Sequence, residues 1–442
     1  MTGELHCARS NWQHHPMWHA GRRLPVKHDH TLLVLFGALV AFCVLVDLPV
    51  TWNNVVNERF ALYHKFAADP GGGIPWHKAG KDLLFFLLAA VVVCRHNVAS
   101  RLSQANRTVL GAWLAVLLAA GVALANTLVS VSPMVALVGL RTNSPLLMLL
   151  VGLTLRDDDV RGLYHVVGGL AVFEALFGAY QYSIGVRVYG ATLGYRVTGS
   201  FYDPNTYALF AICCVLLLST QPRARIWYVY LFSAMTIVLT SGSRMGFSVL
   251  ALWIVFYCVL RMRSTAARVL VSLVAIPMIF YIPGIVDVWA QRGSFYDNLN
   301  PHSERLGIML EYLHSTTDAE ILIGRGLGTG ANVLHTDDGV PLAEFGADLT
   351  VAFLTDSMYT ATMAQGGLIL LICLLSLLAS PWIAAKRGEH RYSTLMRLMP
   401  MLALLAGTSM NLTEAAPFNY VLFALYGFVA ARTGAPLAQL RD

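Results

Sequence analysis

Three arginines lie in short polar motifs that separate long apolar runs. Arg196 precedes Val-Thr-Gly-Ser-Phe-Tyr-Asp-Pro-Asn, Arg244 lies in the turn Leu-Thr-Ser-Gly-Ser-Arg-Met-Gly, and Arg305 follows Asn-Pro-His-Ser-Glu. A guanidinium group is planar and always charged, and it can contact two phosphate oxygens at once. These motifs therefore predict the binding of a diphosphate, with the arginines stabilising the charge on a departing phosphate.

Asp356 is the candidate for the acid–base step of such a reaction. It immediately precedes an apolar run, so we expect it at a helix start, where the helix dipole favours an ionised carboxylate. A carboxylate there can take the proton from an attacking hydroxyl. Asp203 precedes Pro204 and is interpreted as a helix cap or, alternatively, as a base. The other acidic candidates for the base are Asp337, Asp338, Glu344 and Asp348.

Arg141 lies inside an apolar run, where a charged side chain is costly and therefore functional by default. Insertion scales place that cost at about 2.5–3.5 kcal/mol for a residue at the centre of a membrane helix. Glu174, in the next apolar run, is a candidate ion-pair partner. The further substrate-binding candidates are Arg187, Asn205, Ser243, Gly326, Gly328 and Tyr359.

The composition predicts that these residues are positioned by membrane helices. Of the 442 residues, 56% are hydrophobic and 13% are charged, whereas about 25% are charged in soluble domains. The apolar runs of about 15–25 residues lack the alternation of barrel strands. We therefore expect an all-α polytopic membrane protein with about 12 transmembrane helices. The predicted spans are 31–50, 82–94, 108–130, 133–155, 162–184, 204–219, 226–240, 245–260, 268–289, 357–379, 395–412 and 417–431.

Lys and Arg are concentrated on one side of these spans, which predicts that both termini are cytoplasmic. The predicted organisation is a basic, His-rich tail at 1–30, nine spans in 31–289, a large outer loop at 290–356, three spans in 357–431 and a tail at 432–442. The His-rich tail is interpreted as a disordered segment at an anionic membrane surface.

The loop at 290–356 is too long for a simple connection and is interpreted as a lid. Asn300 and Pro301 predict the start of a short amphipathic helix, whose apolar stripe is Leu306, Met309, Leu310 and Leu313. The later run Gly-Arg-Gly-Leu-Gly-Thr-Gly lacks the strand–helix context of a phosphate loop. It is interpreted as a tight backbone turn that approaches the membrane or a ligand.

Several classes of function are not expected. The seven cysteines are not placed in the outer loops, which argues against structural disulfides and a cysteine metal site. We expect no metal and no cofactor. The net charge of +6 comes from residues between the spans, so nucleic acid is not an expected partner.

Four motifs resemble the bacterial O-antigen polymerase and ligase family, which includes exopolysaccharide polymerases. They are Arg196–Phe210, Thr240–Gly246, the pair Ser-Glu-Arg-Leu-Gly-Ile-Met-Leu-Glu-Tyr-Leu and Ile-Gly-Arg-Gly-Leu-Gly-Thr-Gly, and the run that begins at Asp356. The resemblance covers about the second half of the chain.

This resemblance implies a metal-independent glycosyltransferase of the bacterial inner membrane, with its active site facing the periplasm. Its partners would be an undecaprenyl-diphosphate-linked oligosaccharide donor, a glycan acceptor, the lipid bilayer and a chain-length regulator. Arg196, Arg244 and Arg305 match the family's outward arginines, and Arg141 matches less clearly. Ligases of the family have a histidine where this chain has Asp356, which favours a polymerase.

Two alternatives stay open from the sequence. One is an O-antigen ligase that transfers glycan to lipid A core. The other is a flippase for lipid-linked oligosaccharide, or another transporter, which would be built with intramembrane charges and broken helices.

Overall fold

The structure, a computed structural model, describes residues 30–56, 76–185, 196–201, 203–221, 223–262, 264–273, 281, 284–285, 314, 316–329, 357–385 and 392–434. All regular secondary structure in these ranges is helical, which confirms the predicted all-α class. The predicted helix at Asn300–Pro301 and most of the predicted lid lie outside the described residues.

In the described residues of the first half of the chain there are eight α-helices. Their bounds are α1 Thr31–Leu45, α2 Leu48–Val56, α3 Trp76–Arg95, α4 Val98–Gln104, α5 Arg107–Ser130, α6 Pro133–Asn143, α7 Met148–Thr154 and α8 Asp157–Ser183. A 3-10 turn, Ser144–Leu147, joins α6 to α7. The bounds of α5 and of the α6–α7 stretch agree closely with the predicted spans, whereas α3 and α8 begin five or six residues earlier than predicted, and α4 was not predicted.

In the described residues of the second half, seven further helices are numbered α9 to α15. They are α9 Pro204–Leu218, α10 Arg225–Ser241, α11 Arg244–Arg261, α12 Asp318–Ile323, α13 Met358–Ala385, α14 Ser393–Gly407 and α15 Phe418–Gly434. Residues 265–273 are also helical and continue into the predicted span 268–289, most of which lies outside the described residues.

Among the residues that the structure describes, length and composition identify five stretches that can cross a membrane, or six if the bent pair α3–α4 counts as one span. They are Thr31–Trp52, Arg107–Ser130, Pro133–Thr154, Asp157–Ser183 and Met358–Ala385. Helices α9, α10, α11 and α14 are apolar but shorter. The expectation of a helical membrane protein is supported, and the number of twelve spans stays a prediction.

Helices α9 and α15 form the centre of the bundle. Nearly every residue of α9, and α15 from Phe418 to Ala430, is buried, as expected for helices that are apolar all round. Small residues bring α15 close to α7. A Cβ added to Gly152 would lie 1.9 Å from the Ala424 carbonyl oxygen, and one added to Gly427 would lie 2.0 Å from the Leu149 carbonyl oxygen.

The bundle has two ends, and contacts between helix termini define them. Arg432 pairs with Asp157 at 2.8 Å, and the Asn106 N–H donates to the Ala430 carbonyl at 2.9 Å. Helices α5 and α8 therefore both begin at this end, which we call the opposite end. They finish at the other end, which also carries residues 196–204 and is called the Arg196 end.

Two membrane-length helices are broken, and their breaks meet. The α6–α7 stretch is interrupted by the 3-10 turn that contains Pro145, and α13 has non-helical backbone at Gly366 and Gly367. The Asn143 side-chain amide donates to Gln365 Oε1 at 3.1 Å. Amide side chains thus join the two interruptions, which the apolar pattern of the predicted spans does not reveal.

Candidate functional site

The segment 196–201 enters the bundle ahead of α9, and it carries Arg196. The Val197 N–H donates to the Thr240 carbonyl at 3.2 Å. The Gln181 side chain holds Gly199 from both sides, because its Oε1 accepts from the Gly199 N–H at 2.9 Å and its Nε2 donates to the Gly199 carbonyl at 2.8 Å. Gly199 has a φ of +60°, which favours glycine. The backbone of this segment is therefore fixed by helices α8 and α10.

Arg196 is 6% exposed and contacts neutral oxygens at the Arg196 end. Its Nε donates to the Ser241 carbonyl at 3.1 Å, and its Nη2 donates to Asn205 Oδ1 at 2.8 Å. These partners orient the guanidinium plane. A guanidinium fixed in this way can present paired N–H donors to an anionic group.

Asn205 and Ser243 join the two motifs that carry Arg196 and Arg244. The Ser243 hydroxyl donates to Asn205 Oδ1 at 2.9 Å, and its Oγ also accepts from the Gly246 N–H as the cap of α11. Gly242 closes α10 in the left-handed conformation, with a φ of 56°. Arg244 is the first residue of α11 and is partly buried, so the predicted tight turn is confirmed.

Asp203 caps helix α9. Its Oδ2 accepts from the Thr206 N–H at 2.8 Å and from the Thr206 hydroxyl at 3.2 Å. Pro204 occupies the start of the helix, as the sequence predicts. The interpretation of Asp203 as a cap is confirmed. Its place beside Asn205 leaves it at the Arg196 end.

Arg141 pairs with Asp82 and not with Glu174, so the expected partner was wrong. The Arg141 Nη2 lies 2.9 Å from Asp82 Oδ2, and both side chains are about one-quarter to one-third exposed. Arg141 lies near the end of α6, just before the break. Asp82 is on α3, where it is the first residue of the predicted span 82–94; the helix itself begins six residues earlier, at Trp76.

Glu174 is fully buried in α8 and binds the segment 196–201. Its Oε2 accepts from the Ser200 N–H at 2.9 Å, and its Oε1 is hydrogen-bonded to the Ser200 hydroxyl. The Ser200 Oγ also lies 2.5 Å from the Val44 carbonyl oxygen at the end of α1. Glu174 thus helps to hold the backbone of the segment 196–201 in place.

The glycine-rich segment Gly324–Thr329 is inserted between helices, so the predicted tight backbone turn approaches helix backbone, while the interpretation of 290–356 as a lid stays a prediction. The Arg325 N–H donates to the Ala364 carbonyl at 2.8 Å, and the Gly326 N–H donates to the Gln365 carbonyl at 3.1 Å. These two carbonyls lie at the break in α13, where regular helical hydrogen bonding ends. The segment therefore donates hydrogen bonds to carbonyl groups that have no regular helical partner at the break.

Gly326 and Gly328 pack against helix backbone. A Cβ on Gly326 would lie 2.5 Å from Thr127 Oγ1, and a Cβ on Gly328 would lie 2.2 Å from the Val135 carbonyl oxygen. Both have positive φ, at 120° and 96°. Close packing accounts for glycine at both positions, and their predicted role in substrate binding stays a prediction.

Arg325 and Glu320 stabilise the approach to this segment. Arg325 Nε lies 3.6 Å from Glu320 Oε1, and Arg325 Nη2 donates to Thr316 Oγ1 at 3.3 Å. The Thr317 backbone N–H holds the pKa of Glu320 below its usual value, with further lowering by the Thr317 hydroxyl and the Arg325 guanidinium. Glu320 therefore stabilises this turn while ionised, and its contribution is lost when acid protonates it.

Tyr359 is placed in a packing contact, where its hydroxyl donates to the Leu404 carbonyl. The neighbouring Ser357 hydroxyl donates to the Gly407 carbonyl at 3.3 Å, and the Met358 N–H donates to the Met410 carbonyl at 3.1 Å. The start of α13, which follows Asp356 in the chain, is therefore bound to the turn after α14.

Asp356, Arg305 and Arg187 lie outside the described residues. The acidic alternatives for the base, Asp337, Asp338, Glu344 and Asp348, lie outside them as well. Among the described candidates, hydrogen bonds bring together Arg196, Asn205 and Ser243, with Arg244 next to Ser243 in the chain. Arg141 belongs to a second polar group with Asp82.

The sequence reading missed Gln181, Ser200, Asn143 and Gln365. Asn143 and Gln365 lie inside predicted spans, Gln181 lies near the end of one, and Ser200 lies in the polar motif after Arg196; the residue types alone suggest nothing unusual. Their roles depend on partners 18 to 222 residues away in the chain. The useful signal was the presence of Gln365 beside two adjacent glycines inside an apolar run, which marks a helix break.

Comparisons with known proteins leave the chain without an assigned family: no protein-family model matches it, and no curated protein matches it.

Proposed function

We propose that this chain is a membrane glycosyltransferase that polymerises oligosaccharide repeat units carried on undecaprenyl diphosphate. The proposal includes the periplasmic face of the bacterial inner membrane as the place of reaction. It rests on the resemblance of four motifs to O-antigen polymerases and on the position of Arg196.

The observation that carries the proposal is the hydrogen-bonded group that holds the buried Arg196 and connects it to Arg244. The Ser241 carbonyl and Asn205 Oδ1 fix the orientation of the guanidinium. Through Asn205 and Ser243 it is linked to the helix start that carries Arg244. A diphosphate bridging the two arginines would be held by paired, charge-assisted hydrogen bonds.

In the proposed reaction, a hydroxyl oxygen of the acceptor glycan attacks the anomeric carbon of the donor glycan. The bond from that carbon to the diphosphate oxygen breaks, and its electron pair leaves on undecaprenyl diphosphate. Arg196 and Arg244 stabilise this negative charge. Asp356 takes the proton of the attacking hydroxyl. The donor supplies the energy, so no nucleotide takes part.

The experiment is an assay of purified protein with a synthetic lipid-diphosphate-linked repeat unit in detergent, without nucleotide or added metal. We expect a ladder of longer lipid-linked glycans. Arg196→Lys and Arg244→Lys should each reduce the rate of glycan elongation by about 10- to 100-fold. Lysine keeps the positive charge but lacks the paired N–H donors of the guanidinium.

Arg432→Lys is the matched control, because Arg432 lies at the opposite end in an ion pair with Asp157. It should retain activity within about twofold. Full activity of both Arg196→Lys and Arg244→Lys, in protein that elutes as folded, would contradict diphosphate binding by these arginines. Product that forms only when lipid A core is added would identify a ligase.

A transporter of lipid-linked oligosaccharide is the second candidate, and one observation favours it. Two interrupted helices meet at Asn143 and Gln365, and broken helices commonly form the binding sites of transporters. The test is flipping of the lipid-linked repeat unit in liposomes that contain the purified protein. Flipping without any ladder would favour the transporter.

A further inference from the structure

The hydroxyl of Ser200 has one proton and two acceptors beside it. Its Oγ lies 2.5 Å from the Val44 carbonyl oxygen and also within hydrogen-bond distance of Glu174 Oε1. A carbonyl oxygen can only accept a hydrogen bond, so the Ser200 hydroxyl donates its proton to the Val44 carbonyl oxygen. The contact between Ser200 Oγ and Glu174 Oε1 then needs a proton from the carboxyl group.

The surroundings of Glu174 favour that proton. In the described part of the chain, both side-chain partners of Glu174 are atoms of Ser200. The titratable neighbour on α9 is Tyr207, whose hydroxyl donates to the Glu174 backbone carbonyl at 2.8 Å. The adjoining groups from α1 and α8 are the Val44 carbonyl and the Gln181 amide. An ionised carboxylate buried among uncharged groups is strongly disfavoured.

We propose that Glu174 is a neutral carboxylic acid that positions the Arg196 segment for the proposed reaction. Its Oε2 accepts from the Ser200 N–H, while its carboxylic O–H donates to the Ser200 hydroxyl, which in turn donates to Val44. Each of the three groups then has its full set of partners. The carboxyl acts through Ser200 and touches no substrate, so it is a positioning residue.

The backbone of the segment 196–201 is closely packed against the Glu174 carboxyl group. A Cβ on Gly199 would lie 2.1 Å from Glu174 Oε2, so the backbone presses directly on the carboxyl. Gln181, two turns of helix beyond Glu174, holds Gly199 of the same segment by two hydrogen bonds. Loss of the Glu174 contact would release Ser200, four residues after Arg196. The guanidinium would then lose its fixed orientation.

The protonation state is tested by infrared spectroscopy of purified protein at neutral pH, which does not depend on the proposed activity. The wild-type minus Glu174→Gln difference spectrum should contain a carbonyl stretch of a protonated carboxylic acid. The matched control is Asp159→Asn, because Asp159 is also buried but forms an ion pair with Arg156, whose backbone N–H and guanidinium both donate to it. A difference spectrum for Glu174→Gln that shows only carboxylate bands overturns the inference.

The positioning role rests on the proposed function and is tested by rescue. Glutamine has one donor and one acceptor in the places that the neutral acid uses, so Glu174→Gln should keep polymerase activity within about twofold, whereas Glu174→Leu should lose tenfold or more. Thermal unfolding of each variant separates loss of folding from loss of positioning. Full activity of Glu174→Leu overturns the role, whereas an inactive wild type with the infrared band counts against the proposed function alone.

Discussion

The ion pair of Arg141 and Asp82 explains how an arginine is accommodated inside an apolar stretch. The two groups are 2.9 Å apart and partly shielded from solvent. Removing one member of a shielded pair leaves an uncompensated charge, which costs more than removing both. The pairing is therefore expected to appear as strong coupling between the two residues.

We predict that Arg141→Met and Asp82→Leu each lower the unfolding temperature in detergent and that the double variant recovers part of the loss. The coupling free energy should be about 1–3 kcal/mol. Arg141→Met combined with Glu174→Gln serves as the control, because Glu174 binds Ser200 instead. That pair should be additive within about 0.5 kcal/mol. The assigned pairing would be wrong if the effects of Arg141→Met and Asp82→Leu were additive while those of Arg141→Met and Glu174→Gln were coupled.

Residue roles that depend on near neighbours could be predicted from the sequence. Asp203 was expected as a cap because Pro204 follows it, and the cap is present. Arg244 was expected at a tight turn, and the turn is present. The partner of Arg141 could not be predicted in the same way, because Asp82 is 59 residues earlier and helix packing alone brings them together.

At the scale of elements, the segment Gly324–Thr329 acts as a wedge in the bundle. The Leu327 N–H donates to the Ala123 carbonyl at 3.2 Å, and the Leu327 carbonyl accepts from the Thr127 hydroxyl at 3.0 Å. On its other side the wedge binds the carbonyls at the α13 break. It thereby connects α5 to α13, and its glycines set how closely these helices approach.

We predict that Gly328→Ala destabilises the protein in detergent. The positive φ costs about 1–3 kcal/mol for a residue with a Cβ, and the clash with the Val135 carbonyl adds to it. A thermal unfolding curve measures the loss.

The matched control for Gly328→Ala is Gly121→Ala on α5. A Cβ at Gly121 meets nothing within 4 Å, and alanine is the better helix former, so stability should be unchanged or slightly raised. Equal unfolding temperatures for Gly328→Ala and Gly121→Ala would contradict the wedge.

The bounds of the helices were largely predictable, and their interruptions were not. A continuous apolar run fixes where a helix can lie in a membrane, and the observed bounds of α5, α9 and α11 follow the predicted ones within about two residues. The break in α13 depends on the wedge, which supplies hydrogen bonds from another part of the chain. Periodicity within one run carries no information about such a partner.

At the scale of the whole molecule, the two ends differ in their chemistry. The opposite end contains the Arg432–Asp157 ion pair and the cap of α5. The Arg196 end contains the proposed diphosphate site. The charge bias of the sequence assigns the opposite end to the cytoplasm, and this orientation is part of the proposed function.

We predict that single cysteines at the two ends react differently with a membrane-impermeant maleimide in intact spheroplasts. Ser130→Cys lies at the exposed end of α5 on the Arg196 end and should be labelled. Ser103→Cys, exposed on α4 at the opposite end, should be labelled only after lysis. The unsubstituted protein gives the background of the native cysteines. Labelling in the reverse order would invert the proposed orientation.

The wedge also constrains the order in which the protein can be assembled. The groove that it fills is lined by α5 and α6, yet its contacts with Asn126 and Thr127 join residues 198 and 200 positions apart. A ribosome that has completed α5 and α6 must add α7 to α12 before the wedge exists. During this part of synthesis the Asn126 amide and the Thr127 hydroxyl lack their final partners in the wedge. A chaperone or a bound lipid that covers the groove would protect the incomplete chain.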